Sequence, residues 1–310
     1  MKNKIDCVIV NWNSGIQVHD AVQSLTFDES GLIRSVTVVD NASSDNSVAL
    51  LKERRWPFLL LIHESPRNTG FGAACNKGSE AARGEFILFL NPDAKVHPGA
   101  LTGMVAHMNL KENSDVAICS IKLVDESGMV SRSCARFPSL GSFAWQALGL
   151  NRLVRSWAHP MLEWDHESDR RVDHVIGAFY LIRRAVFESL FGFDERFFLY
   201  LEDLDLSRRA NAAGWKSSYL ANLSAFHAGG GTSRQIKSTR LFYSLRSKLA
   251  YGFKHFSPAK AWLLAFLTCV IEPLSRVALL LVTGRFRDLS NTLSAYRILY
   301  ANLWEILKCR

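Results

Sequence analysis

The stretch FFLYLEDLDLSRR, residues 197–209, holds three carboxylates within four positions: Glu202, Asp203 and Asp205. Such a cluster can form the acidic first turn of a helix, where carboxylates satisfy unpaired N–H groups and the positive end of the dipole. It can also supply a base that takes a proton from a hydroxyl. On a helix Asp205 points about 200° away from Asp203, which suits it to pairing with a nearby arginine. Asp93 ends an apolar run in FILFLNPDAKV. Asn91-Pro92-Asp93 is built of turn formers, and an oxygen ligand there suits a hard divalent cation bridging a diphosphate. His227 precedes three glycines in SAFHAGGGTS, a run that permits close backbone approach to a ligand. TGFGAACNKG contains Gly70-x-Gly72-x-x-Cys75, an imperfect dinucleotide fingerprint placed after the third expected strand. Its helix start can still bring N–H groups to a phosphate, with Arg67 and Asn68 as further donors.

Strands alternating with helices are expected to position these groups. DCVIVNW, SVTVVDNASSD, FLLLIHE and EFILFLNPDAKV read as strands; GIQVHDAVQSLTF, NSVALLKERR and GFGAACNKGSEAARG read as the helices between them. That order implies an α/β fold, a mostly parallel sheet with helices on both faces. Ligands of open sheets bind at the carboxyl ends of the strands, so Asn11, Asn13, Asp40, Asn41 and Asp93 should converge on one edge. Residues 117–223 are mixed, with the strands VAICSIKLV and DHVIGAFYLIRR and a Trp-rich connector at 145–164. No internal repeat is visible.

The 310 residues suffice for one large domain or two ordinary ones, and 48% hydrophobic with 21% charged residues describes a globular chain. The net charge of +8 is unevenly spread: residues 206–271 contain ten Lys and Arg and no Asp or Glu. Such a bias suits an anionic partner such as nucleic acid, a diphosphate or an acidic membrane surface. Six scattered cysteines without a CxxC pair indicate neither a zinc site nor a disulfide framework, and favour reduced thiols in the cytosol. The opening MKNKIDCVIVNWN reads as a first strand, not a signal peptide. Residues 261–282 have the length of a membrane span but carry Glu272, Pro273 and Arg276, which are costly in hydrocarbon. Two short apolar helices on or partly in a membrane surface are expected, with a buried helical pair as the alternative.

Taken in order, VIVNWNSG, VVDNASSDNS, RNTGFGAACNKG, FLNPDAKV, the stretch GAFYLIRRAVFESLFGFDERFFLYLEDLDLSRRANAAGW and His227 resemble glycosyltransferase family 2. That is an inverting family with the GT-A fold, and the resemblance, over roughly residues 5–230, is to bacterial rhamnosyltransferases of O-antigen and cell-wall glycan assembly. It implies a nucleotide-sugar donor and a divalent metal, Mn²⁺ or Mg²⁺. Asp40 would then contact the nucleoside, with Asn11, Asn13, Asn41, Arg67, Asn68, Gly70, Asn76 and Asn91 around the donor. Asp93 matches the last carboxylate of the D-x-D metal motif, whose first position is here Asn91, leaving one carboxylate fewer. His227 matches a second metal ligand and Asp203 the general base; Glu202 would then orient the acceptor or Asp203, with Gly177 on the acceptor side, and Arg67 or a basic residue of the later segment, with Arg246 as the candidate, would assist the leaving diphosphate. The implied layout is a GT-A domain over 1–231, divided near 116/117 into nucleotide-sugar and acceptor parts, then a basic, helical, membrane-associating region over 232–310. The expected reaction moves a sugar, first of all rhamnose from dTDP-rhamnose, to a glycan or polyprenyl-diphosphate-linked acceptor. It would take place on the cytoplasmic face of the membrane, with no nucleic acid involved. A nucleotidyltransferase would carry a glycine-rich basic loop after its first strand, where NWNSGIQVHD lacks the basic residue; a non-catalytic binding protein would lack the base or metal carboxylate.

Overall fold

The structure is a computed structural model that describes residues 2–27, 30–150, 159–229 and 237–308. It divides into two compact units. The first comprises Met1–Ala135, Asp165–Glu195 and Glu202–Thr232; the second comprises Arg136–Trp164, Arg196–Leu201 and Ser233–Arg310. Segments 136–164 and 196–201, ahead of the expected 231/232 division, thus group with the C-terminal helices. That division itself falls outside the described residues, as do the last two glycines of the run after His227.

The first unit begins with β1 (Ile5–Asn11), α1 (Ile16–Ser24), β2 (Ile33–Asp40), α2 (Ser47–Lys52), β3 (Leu59–Glu64), α3 (Phe71–Ser79) and β4 (Phe86–Leu90). It continues with β5 (Ala94–Val96), α4 (Ala100–Asn109), β6 (Val116–Val124) and β7 (Cys134–Ala135). In the second unit α5 spans Leu140–Ala147; the first then resumes with β8 (Arg170–Val172), β9 (His174–Val175), β10 (Phe179–Arg183), α6 (Arg184–Ser189), α7 (Glu202–Ala212) and β11 (Lys216–His227). The main sheet runs β3-β2-β1-β4-β10-β6-β11-β5, with β8 beside β11. Its first four strands are parallel. Beyond β4 it is mixed, because β10 runs antiparallel to both β4 and β6. DHVIGAFYLIRR is not one strand: β9 pairs with β7 in a separate small sheet, and Gly177 lies between β9 and β10.

Fully buried strands read as continuous apolar runs, as β4 does; β1 is also buried throughout, with its Asp6 paired to Arg34 at 2.6 Å. Ile5, Cys7 and Ile9 share a core with Val18, Ala21 and Val22 of α1 and with Leu101 and Met104 of α4. Val8, on the opposite face, meets α3. A Cβ on Gly78 of α3 would stand 2.4 Å from Val8 Cγ1, so the missing side chain is what lets α3 lie so close to the sheet.

The second unit adds α8 (Lys237–His255), α9 (Pro258–Phe266), α10 (Glu272–Val282), α11 (Phe286–Ala301) and α12 (Leu303–Lys308). The two short helices expected over 261–282 run on into one another as a single helix, Pro258–Val282, of 25 residues, within which an 18-residue stretch has a mean hydropathy of 1.9. By length and composition it could cross a membrane. A π-helical turn over Leu267–Ile271 joins α9 to α10 just ahead of Pro273, and extra-residue turns of this kind accommodate a proline that cannot donate to the ladder. Glu272, which argued against a continuous apolar helix, is buried together with its counter-charges. Its two carboxylate oxygens accept from Lys248 Nζ at 2.7 Å and from Arg276 at 2.7 Å. Burial opposes the charge of Glu272, but those two cations outweigh it and hold its carboxyl below the usual range.

Candidate active site

The loops after β1 and β2 are stitched side by side. In the parallel register Asn11 lies beside Asp40, and Asn11 Nδ2 donates to Asp40 Oδ1 at 2.7 Å and to Ser47 Oγ at 2.8 Å. Ser43 N–H donates to the other Asp40 oxygen. Asn13 has a positive φ and accepts from Ser44 N–H at 2.7 Å, while Gly15 N–H donates to Asp45 Oδ2 at 2.8 Å. Burial works against the charge on Asp45, yet hydrogen bonds from Ser47 and Gly15 prevail and lower its pKa. Ser43, Ser44, Asp45 and Ser47 lie in the quoted motif VVDNASSDNS but were not singled out as site residues.

A third loop joins the same edge. Asn41 Nδ2 donates to Asn68 Oδ1 at 2.9 Å and to Gly70 O at 3.1 Å, and Asn41 Oδ1 accepts from Thr69 N–H. Gly70 caps α3 with φ 89°, a conformation costly for any side chain. The result leads directly into a helix N-terminus, a place suited to phosphate. Arg67 on this loop is exposed. Asn76 is engaged elsewhere. Its amide donates to Phe193 O at 2.9 Å and accepts from Phe193 N–H at 2.8 Å, so both ends serve to hold the loop after α6 instead of a donor.

Asn91 to Ala94 form the anticipated turn, closed by Ala94 N–H to Asn91 O at 3.1 Å, and Asn91 N–H is bonded to Ala178 O. This turn sends Asp93 to the strand end, where β5 pairs with β11 in a register that sets His227 opposite Ala94. His227 Nε2 stands 3.4 Å from Asp93 Oδ1. It is buried and makes no hydrogen bond. No third His, Cys, Asp or Glu joins these two among the described residues. The pair fits a divalent cation that takes its remaining oxygens from a diphosphate and water, the usual way such ions are held at phosphate-transfer sites.

Asp203 sits in the first turn of α7, and its side chain is 15% exposed. Its two oxygens accept from backbone N–H groups, Oδ2 from Gly177 at 2.6 Å and Oδ1 from Leu204 at 2.8 Å. A Cβ on Gly177 would lie 3.2 Å from Asp203 Oδ2, a tight approach that favours glycine there. Behind Asp203 is a buried network unforeseen in the sequence. His174 Nε2 is 3.8 Å from Asp203 Oδ2, and its Nδ1 is 3.1 Å from Ser207 Oγ. Tyr180 OH is 3.0 Å from the same Ser207 oxygen, which donates to Asp203 O at 2.9 Å. Burial lowers the His174 pKa, against the opposing pull of Asp203. Burial likewise raises the pKa of Tyr180. The network reaches Asp203 through its backbone oxygen, so it holds the turn that carries the carboxylate.

Glu202 is 4% exposed, packs against Gly72 of α3, and leaves Oε2 without a hydrogen-bond partner. Burial, then the neighbouring Asp203, push its pKa well above the usual carboxyl range. Of the two roles expected of it, that burial suits support of Asp203 better than direct contact with an acceptor. Asp205, fully buried, accepts from Arg209 Nε at 2.8 Å, while Arg209 also donates to Gly192 O at 2.7 Å. Arg246 lies on α8 of the second unit.

An α/β sheet with three polar loops at its carboxyl edge, a carboxylate–histidine pair at the next strand end and a backbone-held aspartate define a GT-A glycosyltransferase fold. Residues 6–191 match glycosyl transferase family 2, and the chain belongs to that family. It is 27% identical, over 73% of its length and 76% of the relative's, to an N-acetylglucosaminyl-diphospho-decaprenol L-rhamnosyltransferase of Mycobacterium tuberculosis. It is 29% identical to the rhamnosyltransferase WbbL of Escherichia coli K12, over 54% of this chain and 61% of that one. Among solved structures, the mannosyltransferase PcManGT of Pyrobaculum calidifontis, in complex with GDP-Man and Mn²⁺, is similar with TM-score 0.58 and 16% identity, over 97% of this chain and 87% of that one. S. aureus TarS is similar with TM-score 0.53 and 17% identity; the chain spans 41% of its length. These structural likenesses concern the fold.

Proposed function

We propose that this glycosyltransferase moves rhamnose from dTDP-rhamnose, with inversion, to a polyprenyl-diphosphate-linked sugar at the cytoplasmic membrane surface during cell-surface glycan assembly. The observation that carries the reading is Asp203, partly exposed and held by two N–H donors on the same unit as the Asp93–His227 pair. An inverting displacement needs one base on the acceptor face and charge stabilisation on the leaving-group face, with no second nucleophilic carboxylate.

Asp203 takes the proton of the attacking acceptor hydroxyl. Gly177 and Leu204 N–H groups fix its oxygens, and the His174–Ser207–Tyr180 network fixes the backbone behind it. Buried Glu202 acts on the acceptor side only indirectly, by supporting that turn. Asn11, Asn13, Asp40 and Asn41 shape the nucleoside end of the donor, and Asn68, Gly70, Arg67 and Asn91 border its phosphates. Asp93 and His227 would hold Mn²⁺ or Mg²⁺. When bound, that ion neutralises charge growing on the departing nucleoside diphosphate. The named relatives support the donor sugar and the lipid-linked acceptor. The basic, apolar C-terminal region supports the membrane surface.

A donor screen scored by released nucleoside diphosphate, with a polyprenyl-diphosphate-GlcNAc acceptor, tests the reading. Turnover of dTDP-rhamnose above UDP- and GDP-sugars is expected. Turnover of another sugar nucleotide alone would overturn the donor assignment.

A further inference from the structure

Along Pro258–Val282, Ala261, Leu264, Ala265, Thr268 and Glu272 are buried, at spacings that mark one face of a helix. The opposite face is apolar as well. Leu263, Phe266, Val270 and Leu274 follow one another every three or four residues and, with Trp262, are between 43% and 66% exposed. A helix on the surface of a water-soluble unit turns polar residues outward, and this one does not. A second apolar row lies on α11, where Phe286, Leu293 and Tyr300 recur every seventh residue and are exposed. Tyr300 OH donates to Cys269 O at 2.6 Å, which joins the two rows at the π-helical turn and satisfies a carbonyl within it.

We infer that this double row is a lipid-binding face, with Pro258–Val282 lying in the plane of an anionic membrane surface and not across it. The partner's chemistry rests on the proposed lipid-linked acceptor; the geometry stands on the second unit alone. A crossing orientation is opposed by the buried face. Glu272 is tied there to Lys248 of α8, so a span would carry α8, with Arg240, Arg246 and Lys254, into hydrocarbon. An in-plane orientation immerses only the outer rows and leaves that ion pair inside protein. The charge at the ends selects the occupant. Lys260 at one end of the helix and Arg287 beyond the other are exposed, Arg285 beside it pairs with Asp288, and Arg297 and Lys308 continue the series on α11 and α12 with Glu305 between them. Cations bordering an apolar face suit anionic headgroups; they would repel one another across an interface between two copies.

Flotation of the full-length protein with phosphatidylcholine vesicles, with and without phosphatidylglycerol, tests the inference beside alkaline carbonate extraction. Binding is expected to need phosphatidylglycerol and to be released by carbonate. Phe266→Glu and Leu274→Glu should weaken binding on the order of tenfold or more, while transfer to a water-soluble acceptor analogue persists. Resistance to carbonate would make the helix a span and overturn the inference. So would wild-type protein that ignores vesicles, or that forms a dimer dissociated by Phe266→Glu. Absence of sugar transfer to any acceptor, with vesicle binding intact, would instead overturn the proposed function and leave the lipid-binding face standing.

Discussion

Glu202 and Asp203 are neighbours in sequence and opposites in environment. Asp203 receives two backbone N–H groups and keeps part of its side chain in solvent. Glu202 is enclosed with one carboxyl oxygen unbonded, and burial favours its neutral form. The folded state therefore retains a proton that the unfolded chain releases above the ordinary glutamate value of 4.5. Stability from this group is full below that pH and declines as pH rises towards the elevated folded value. Glu202→Gln removes the proton requirement while keeping the shape. Thermal melts at pH 7 to 8 should show the variant more stable by a few degrees, a shift on the order of 1 kcal/mol, and melts near pH 4 should show no difference. A variant less stable at both pH values would mean that the carboxyl makes a bond the amide cannot replace. The density of carboxylates was plain in the sequence, and the pairing of Asp205 with an arginine four residues on follows from helical spacing. The network of His174, Tyr180 and Ser207 was not legible. His174 and Ser207 are 33 residues apart, and only the fold brings together groups whose local spacing carries no pattern.

At the level of elements, the site depends on how closely backbone approaches side chain. The connection between β9 and β10 passes Asp203 so tightly that Gly177 N–H reaches it at 2.6 Å. Gly177→Ala would press a methyl group against Oδ2. We expect kcat to fall about tenfold or more with the donor KM unchanged, since a misplaced base affects the reacting centre and not donor binding. An unchanged kcat would show that the approach has slack. In the second unit the Lys248–Glu272–Arg276 cluster offers a sharper energetic test. Glu272→Leu leaves buried Lys248 without its carboxylate and should cost about 3–5 kcal/mol by chemical denaturation. Lys248→Met combined with Glu272→Leu should recover much of it, because loss of one buried partner is worse than loss of both. Strands β1 to β4 and β6 were readable from their apolar and β-branched runs and the turns between them, whereas the break at Gly177 within DHVIGAFYLIRR was not. The continuous helix over Pro258–Val282 was not. Glu272 and Pro273 argue for a break unless one knows that Lys248, 24 residues earlier, neutralises the acid and that a π-helical turn absorbs the proline.

For the whole molecule, a sheet unit that carries the candidate site and an apolar, basic helical unit are joined in one chain that belongs to glycosyl transferase family 2. The order of the motifs carried the family; it could not carry the identity of the donor sugar, because sugar recognition depends on contacts scattered across loops. The central claim is that Asp203 performs base catalysis on a lipid-linked acceptor. It is tested most directly by comparing wild-type protein with Asp203→Asn, measuring donor affinity calorimetrically and transfer to a polyprenyl-diphosphate-GlcNAc acceptor in the presence of Mn²⁺. Donor affinity should be retained while transfer falls by about 10²–10⁴-fold, the range removed with a general base. Transfer by Asp203→Asn at the wild-type rate would contradict the account.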